Sequence, residues 1–254
     1  MKKACLHSNN VKQEITLDVN GFETRAVFSE ANLEHIWRPL LKHLFDLCLE
    51  QTGRLIVFLA APPGAGKSTL ALWLSELARN TAGAPRVQAL GLDGFHFPAA
   101  ALSRMSIERD GVIIPLAKIK GAPETFNIAE LRKQLNALQN TDASWPYYDR
   151  NLHDISPVRI PVTGEIVIVE GNWLLLDEPE WRMIKAYCGY SIAIVADETL
   201  LESRLIARKV RGGSSIADAV AHYAYSDQPN ISRFHARLQP ADLMLSMIGD
   251  GEYE

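Results

Sequence analysis

The stretch Leu55-Ile56-Val57-Phe58-Leu59-Ala60-Ala61-Pro62-Pro63-Gly64-Ala65-Gly66-Lys67-Ser68-Thr69-Leu70 decides the fold of this chain. Its apolar start predicts a buried strand, its Gly- and Pro-rich middle predicts a turn, and its end predicts a helix. This order is that of a P-loop, in which backbone N–H groups and a helix N-terminus converge on a polyphosphate. Lys67 can reach the β- and γ-phosphates, and the Ser68 hydroxyl can bind Mg²⁺.

The motif departs from its consensus at one position. The pattern G-x-x-x-x-G-K-[ST] has Gly first, where this chain has Ala61. A plain Gly/Pro turn explains the glycines and prolines, but it does not explain Lys67-Ser68-Thr69 directly after them. We therefore predict nucleotide binding, and the residues assigned to ATP are Ala61, Pro62, Pro63, Gly64, Ala65, Gly66, Lys67, Ser68 and Thr69.

Composition limits the class of protein. The chain has 254 residues, of which 47% are apolar, and a formal net charge of −4. This length fits one large domain or two small ones, and the acidic balance argues against a nucleic-acid surface. The apolar runs are too short to span a membrane, and no apolar segment follows the N-terminal lysines as in a signal peptide. The three cysteines are an odd number and lie far apart in sequence, which argues against a disulfide framework. We therefore expect a cytoplasmic protein.

Short apolar strands alternate with helices along the chain. Beyond the P-loop, strands are predicted over 87–92, 165–171, 191–196 and 242–247, and helices over 127–139 and 197–210. This alternation predicts an α/β fold, the three-layer P-loop NTPase fold, whose mainly parallel sheet has helices on both faces. Residues 97–125 and the segment around Tyr148 lack periodicity and are expected to be loops.

The N-terminal part lies outside the nucleotide-binding motif. Alternating apolar residues over 13–28, with Val19-Asn20-Gly21-Phe22 as a turn signal, predict a β-hairpin. Ser29 is placed to cap a following helix that ends at Gly53. We interpret residues 1–53 as an extension that forms an accessory layer on a core of residues 54–254, with a dimer surface as the alternative.

Acidic residues follow several predicted strands, where ligands gather in parallel α/β sheets. Glu170 follows its strand in the manner of a Walker B acid, which holds Mg²⁺ against the triphosphate. A solvated strand-end acid is the alternative for Glu170. Asp93 can take the proton of an acceptor hydroxyl, or it can cap the turn before Gly94. Asp197 is a third acid at a strand end.

Basic residues and a histidine form a second group of candidates. Arg204 and Arg208 share one face of the helix after Asp197, and a mobile arginine segment can close over phosphates and exclude water. An exposed basic helix end that complements the helix dipole explains the same pattern. His96 either binds substrate or packs against its loop, and Lys120 lies either near a ligand or in a solvated basic loop.

The ordered set of motifs resembles that of the phosphoribulokinase/uridine kinase family, which includes the bacterial-type pantothenate kinases. The matching segments lie between residues 55 and 245 and are Gly64-Ala65-Gly66-Lys67-Ser68-Thr69, Asp93-Gly94-Phe95-His96, Lys120-Gly121-Ala122-Pro123-Glu124-Thr125-Phe126-Asn127, Tyr148-Asp149-Arg150, Val167-Ile168-Val169-Glu170-Gly171, Arg204 to Arg211 and Ala241-Asp242-Leu243. Each segment alone is weak, but the combination is specific.

The resemblance implies a kinase that uses ATP and Mg²⁺ and acts on a small hydroxylated metabolite, with one kinase domain over residues 1–254 and a lid near residues 204–215. By position, Asp93 corresponds to the catalytic base and Lys67 to the phosphate-binding lysine. Ser68 and Glu170 correspond to the metal-binding residues. The remaining candidates are Arg208 and Arg211 as catalytic arginines in the lid, and His96, Lys120, Tyr148 and Asp149 as substrate-binding residues.

Departures from the uridine kinase pattern bear on the acceptor. Gly212-Gly213 replaces the Arg-Gly-Arg lid, Trp173 falls outside the pattern, and small uridine kinases have no counterpart of the N-terminal extension. We therefore favour a sugar or sugar acid as acceptor, with pantothenate or a nucleoside as the alternative. A regulatory NTPase without a small-molecule acceptor is the alternative from another class. A small-molecule partner is expected, nucleic acid and membrane are not, and a homodimer stays open.

Overall fold

The computed structural model describes residues 12–19, 22–109, 111–140, 143–150 and 152–254. The strands in chain order are β1 (Lys12–Val19), β2 (Phe22–Ser29), β3 (Leu55–Ala60), β4 (Val87–Gly91), β5 (Ser106–Arg109), β6 (Val112–Pro115), β7 (Ser144–Asp149), β8 (Asp154–Pro161), β9 (Ile166–Gly171), β10 (Tyr190–Ala196), β11 (Leu243–Gly249) and β12 (Glu252–Tyr253). The α-helices are α1 (Glu30–Asn32), α2 (Arg38–Glu50), α3 (Lys67–Arg79), α4 (Ala99–Leu102), α5 (Ile128–Asn140), α6 (Pro179–Arg182), α7 (Glu198–Arg211), α8 (Ile216–His222) and α9 (Gln228–Ala236).

A six-stranded sheet with the order β12-β11-β10-β3-β9-β4 forms the centre of the fold. Its strands pair in parallel except for the short β12. Every residue of β3 and β9 is buried, because helices cover both faces of the sheet. The predicted α/β fold with a mainly parallel sheet is confirmed.

Two apolar cores lie on opposite faces of this sheet because side chains alternate along β3. Leu55, Val57 and Leu59 belong to the core that includes residues of α2, α3 and α7. Ile56 and Phe58 belong to the other core, which includes residues of α5 and α9. The sheet therefore forms the middle layer of three and brings the carboxyl ends of its parallel strands to one edge.

The N-terminal extension packs on the first of these cores. Strands β1 and β2 pair with Val19 opposite Phe22, and the predicted turn residues Asn20 and Gly21 lie outside the described residues. The ring of Phe28 stacks on that of Trp73 in α3 at 3.9 Å, and the ring of Trp37 meets that of Tyr253 edge to face at 5.0 Å. These buried aromatic contacts hold the extension against the P-loop helix and β12.

Some local predictions were wrong. Ser29 makes no side-chain capping bond; it is the last residue of β2, and its backbone N–H donates to the carbonyl of Gly251 at 3.0 Å. The segment around Tyr148 is strand β7 of a β7–β8 hairpin rather than a loop. Helices α8 and α9 were not predicted, and a π-helical turn, Tyr223–Asp227, joins them.

Short 3₁₀ turns and one further π-helical turn complete the secondary structure. The 3₁₀ turns are Leu92–Phe95, Leu116–Ile119, Pro123–Thr125 and Met183–Tyr187, and the π-helical turn Leu33–Trp37 joins α1 to α2. Within the described ranges, no helix is both long and apolar enough to cross a bilayer.

Replacement of Gly251 by alanine is expected to loosen the extension from the core. Gly251 has a φ of 70°, and a Cβ there would overlap the carbonyl group of Val27 in β2. We expect Gly251→Ala to lower the free energy of unfolding by about 3 kcal/mol, measured by urea denaturation.

The matched control is Gly213→Ala. Gly213 has a φ of 97°, but nothing lies within 4 Å of a Cβ at that position. Only backbone strain of about 1 kcal/mol is expected there. Equal losses in the two variants would contradict the overlap with Val27.

Candidate active site

The P-loop connects the carboxyl end of β3 to α3, which begins at Lys67. Gly64 has a φ of 84°, and a Cβ there would lie 3.0 Å from Cγ of Leu205 in α7. The carbonyl oxygen of Gly64 accepts a hydrogen bond from Nε of Arg204 at 2.8 Å. Helix α7 therefore packs directly on the loop. Ala61 is buried and does not have a positive φ, so its methyl group is accommodated where the consensus has Gly.

Ser68 and Glu170 meet at the junction of α3 and β9. The Ser68 hydroxyl donates to Oε1 of Glu170 at 2.7 Å, although 102 residues separate them in sequence. Glu170 is 8% exposed, and this burial raises the pKa of its carboxyl, while Lys67 and the Ser68 hydroxyl act in the opposite direction. A carboxylate and a hydroxyl are the oxygen ligands that Mg²⁺ takes, and a cation here would favour the ionised acid. These two residues therefore fit the metal.

Lys67 lies among charges of both signs. Burial lowers the pKa of its ammonium group, and the carboxylates of Glu170 and Asp93 raise it. Arg208 and Arg150 lower the same pKa by repulsion. The concentration of cations around one lysine suits a phosphate chain, whose negative charge would relieve their repulsion.

Asp93 stands directly after β4, in the 3₁₀ turn Leu92–Phe95, with an exposed side chain. Strand β4 pairs with β9 so that Gly91 is opposite Glu170, which places Asp93 just beyond that acid. The indole N–H of Trp145 in β7 donates to the carbonyl of Gly91 at 2.8 Å. The β7–β8 hairpin is thereby fixed against the end of β4.

These elements enclose a cleft of about 330 Å³. Its lining residues are Asp18, Ser68, Leu72, Ala89, Leu90, Gly91, Asp93, Gly94, Pro146, Tyr147, Tyr148, Arg150, Ile160 and Glu170. A larger and more open depression of about 680 Å³ lies beside the ends of β10 and β11, with a mainly apolar lining. We place the site in the smaller cleft because the charged residues converge there.

His96, Tyr148 and Lys120 form a group beside this cleft. Nδ1 of His96 lies 2.9 Å from the carbonyl oxygen of Asp93. Because a carbonyl can only accept, Nδ1 carries the proton and donates, and Nε2 is left as an acceptor. Nε2 is buried and has no hydrogen-bond partner in the part of the chain that the structure describes. The ring of His96 lies 3.8 Å from that of Phe126 and 5.9 Å from that of Tyr148. The Lys120 ammonium donates to the Tyr148 hydroxyl at 2.9 Å.

Other candidate residues lie apart from the lining of the cleft. The carboxylate of Asp149 accepts from the backbone N–H of Leu152 at 3.2 Å, a contact within the hairpin turn. Arg211 is exposed in the last turn of α7, near Arg204. Asp197 caps α7 through the N–H of Thr199 at 2.8 Å and lines the larger depression. None of these three described residues is among those that line the cleft.

Arg208 reaches the same charged region from α7. Its side chain remains accessible to solvent, but the protein atoms around it lower the pKa of its guanidinium, and the Asp227 carboxylate opposes that effect. Asp93 and Arg150 also act on Arg208. The helix that packs on the P-loop thus brings an arginine toward the residues at the ends of β4 and β9.

The segment Lys120–Asn127 is fixed from two sides. The indole N–H of Trp173 donates to the carbonyl of Gly121 at 2.8 Å, which accounts for the tryptophan that falls outside the sequence pattern. Arg233 in α9 donates to Glu124 at 2.8 Å and also pairs with Glu178, whose pKa it lowers. These contacts hold Lys120 and its neighbours in place beside Tyr148.

Two charged residues that line the cleft were not among the site residues chosen from the sequence. Arg150 lies in the cleft and acts electrostatically on Lys67 and Glu170. The sequence feature that could have identified Arg150 is its place in the segment Tyr148-Asp149-Arg150. Asp18 comes from β1, and no motif in the sequence marks it.

Comparison with known proteins identifies a matching family and several proteins that are similar to this chain. The model of the phosphoribulokinase/uridine kinase family matches residues 56–252. The uncharacterized protein YggC of Escherichia coli (strain K12) is 39% identical over 241 residues, which cover 94% of this chain and 98% of that protein. The crystal structure of a putative fructose transport system kinase from Silicibacter sp. TM1040 is 32% identical, with a TM-score of 0.69 and coverage of 80% and 98%.

Pantothenate kinases match over a shorter part. The pantothenate kinase of Rhizobium rhizogenes (strain K84 / ATCC BAA-868) is 30% identical over 166 residues, which cover 61% of this chain and 47% of that enzyme. The chain thus spans about half the length of this relative.

We expect His96 to make stability depend on pH. Burial lowers its pKa more than the nearby Asp93 raises it, so the unfolded chain takes up the proton first as the pH falls. Stability that requires neutral His96 is complete above about pH 6.5 and is lost as the pH falls through that value toward the lower pKa of the folded chain.

Between about pH 7.5 and about pH 5.5, the free energy of unfolding should fall by about 1 kcal/mol more in the wild type than in His96→Gln. The same urea titrations on His35→Gln give the contribution of an exposed histidine. Parallel curves for the wild type and His96→Gln would contradict the expectation.

Proposed function

The chain belongs to the phosphoribulokinase/uridine kinase family, and we propose that it transfers the γ-phosphate of ATP to a hydroxyl of a small sugar-like metabolite. The predicted family membership is confirmed, and kinases of this family use ATP with Mg²⁺. The acceptor and the roles of individual residues are the proposal. It treats residues 1–254 as a single kinase domain with an N-terminal extension and a lid near residues 204–215, and it places the reaction in the cytoplasm.

One observation carries the proposal: Ser68 is hydrogen-bonded to Glu170 in the same cleft that Asp93 lines. In a pure nucleotide-binding module, the P-loop and a metal-binding acid would suffice. A further carboxylate at the end of the neighbouring strand supplies a group that can take a proton from an alcohol. Together the three residues fit a phosphotransferase with an alcohol acceptor.

In the proposed reaction, residues 61–69 bind the triphosphate of ATP, and Lys67 contacts its β- and γ-phosphates. Ser68 and Glu170 would hold Mg²⁺, which neutralises charge on the phosphates when bound. Asp93 orients the acceptor hydroxyl and takes its proton as the hydroxyl oxygen bonds to the γ-phosphorus. The bond from that phosphorus to the bridging oxygen breaks, and ADP leaves with the electron pair.

The arginines serve the charge that moves during this transfer. In the transition state the negative charge spreads over the equatorial oxygens of the γ-phosphoryl group. Arg208 from α7 and Arg150 from the β7–β8 hairpin act on Lys67, where that group would lie. We include Arg150 in this role beside the arginines of the lid, Arg208 and Arg211.

The acceptor is assigned from the cleft and from one relative. The cleft of about 330 Å³ suits a small metabolite, and the polar side chains in its mixed lining suit hydroxyl groups. The ring of His96 lies 5.9 Å from that of Tyr148 in the cleft lining, and its Nε2, a buried acceptor without a partner among the described residues, is our candidate to receive a hydroxyl hydrogen. Lys120, Tyr148 and Asp149 complete the proposed substrate-binding set. The similar protein from Silicibacter sp. TM1040, matched over 98% of its length, is a putative fructose transport system kinase.

Pantothenate is the second candidate acceptor, because the pantothenate kinase of Rhizobium rhizogenes shares 30% identity with this chain. A panel of sugars, sugar acids, nucleosides and pantothenate, assayed for acceptor-dependent ADP release, separates the candidates. Stimulation by a sugar supports the proposal. Stimulation by pantothenate alone supports the second candidate, and no stimulation by any compound favours a regulatory NTPase.

The role of Asp93 is tested with Asp93→Asn. Loss of the proton acceptor is expected to lower kcat for acceptor phosphorylation about 10³-fold, while the Kd for ATP–Mg²⁺ from calorimetry stays within about twofold. Asp197→Asn is the matched control, since Asp197 is also a strand-end acid but caps α7. Full phosphotransfer by Asp93→Asn would exclude Asp93 as the base.

The role of Arg150 is tested with Arg150→Gln. Loss of a cation near the transferring group is expected to lower kcat about 10²-fold with a much smaller change in the KM for ATP. Arg104→Gln removes the same charge from an exposed position and should leave kcat unchanged. An equal loss of activity in both variants would point to net charge rather than to a contact in the cleft.

A further inference from the structure

We infer that Asp18, in the N-terminal hairpin, is a specificity-determining residue of the acceptor cleft and favours neutral polyhydroxylated acceptors over anionic ones. This inference rests on the proposed function, which assigns the cleft to the acceptor. It concerns a residue outside residues 56–252, the part of the chain that the family model matches.

The position of Asp18 follows from how β1 packs. Leu17 is buried in the first core, and Ile15 and Val19 pack against the same core. Side chains alternate along a strand, so Asp18 points away from that core, and its side chain is exposed. There it shares the lining of the cleft with Leu72 of α3 and with Arg150.

Buried contacts fix this position, because the extension is tied to the core at several points. The Phe28 ring stacks on Trp73 of α3, the helix that also carries Ser68. The side chain of Asn32 donates to the carbonyl of Tyr253 and accepts from its N–H, both at 2.8 Å. Asp18 therefore has a defined place relative to the P-loop helix.

Glu23 is the cross-strand neighbour of Asp18 in the hairpin. Asp18 lies directly opposite Glu23 in the β1–β2 register. Directly opposite side chains lie on the same face, where two like charges are unfavourable. The Glu23 carboxylate is therefore a like charge on the same face of the hairpin, at a residue outside the lining of the cleft.

Charged residues of both signs, Asp18, Asp93, Arg150 and Glu170, line the cleft. The cations that act on Lys67, Arg150 and Arg208, lie where the phosphates would bind. Asp18 adds a negative charge on the side of β1. An acceptor hydroxyl can donate to this carboxylate, whereas a carboxylate or phosphate on the acceptor would be repelled by it. The side chain therefore selects by charge.

The experiment compares acceptors that differ in charge. Wild type and Asp18→Asn, each as the whole chain, are assayed with D-fructose and D-ribose as neutral acceptors and with D-gluconate and D-ribonate as anionic ones. For Asp18→Asn, we expect kcat/KM for anionic relative to neutral acceptors to rise about fivefold, mainly through KM. The KM for ATP should stay unchanged.

The control is Glu23→Gln, which removes one charge from the same face of the hairpin at a residue outside the cleft lining. A selectivity ratio that stays constant in Asp18→Asn, or that changes equally in Glu23→Gln, overturns the inference and leaves the proposed kinase activity intact. If the wild type phosphorylates none of the panel, the proposed sugar-type function fails, and the inference fails with it. Thermal unfolding of each variant verifies that the hairpin stays folded.

Discussion

The parallel pairing of β3 with β9 is the constraint on which the site depends. Leu59 lies opposite Glu170 and Ala60 opposite Gly171, so the acid ends beside the start of the P-loop. A shift of one residue would turn the Glu170 side chain to the other face of the sheet and break its hydrogen bond to Ser68. Since both strands are buried along their whole length, packing on both faces fixes this register.

The parts of the fold that could be predicted from the sequence are those that depend on local pattern. Strands β3, β9 and β10 are continuous apolar runs, and a short run that ends in Gly-x-Gly-Lys-Ser has few other structures available to it. The acids after β4 and β9 could be predicted because the carboxyl ends of parallel strands share an edge. For the same reason the Ser68–Glu170 pair could be expected before its distance was known.

The parts that could not be predicted depend on contacts between distant segments. Strand β7 contains Pro146 and alternates weakly, and its place is set by the bond from Trp145 to Gly91, 54 residues away. In the sequence, Arg150 is marked only by its place in Tyr148-Asp149-Arg150, because its electrostatic effect on Lys67 and Glu170 depends on the folded chain. By sequence alone, Asp18 is likewise one acid on an exposed face of a strand. Its place in the lining of the cleft depends on how β1 packs against α3.

In the proposed reaction, the ATP site is built from one local motif, whereas the acceptor site is built from segments that are distant in sequence. ATP hydrolysis and phosphotransfer differ in which oxygen reaches the γ-phosphorus, so an acceptor has to fill the cleft and displace water. The donor side is one continuous motif, residues 61–69, beside a strand-end acid. The walls of the cleft that we propose for the acceptor come from β1, from the β7–β8 hairpin and from the end of β4, segments far apart in sequence. In the proposed function, a change of acceptor therefore requires changes in these distant segments and leaves the P-loop as it is.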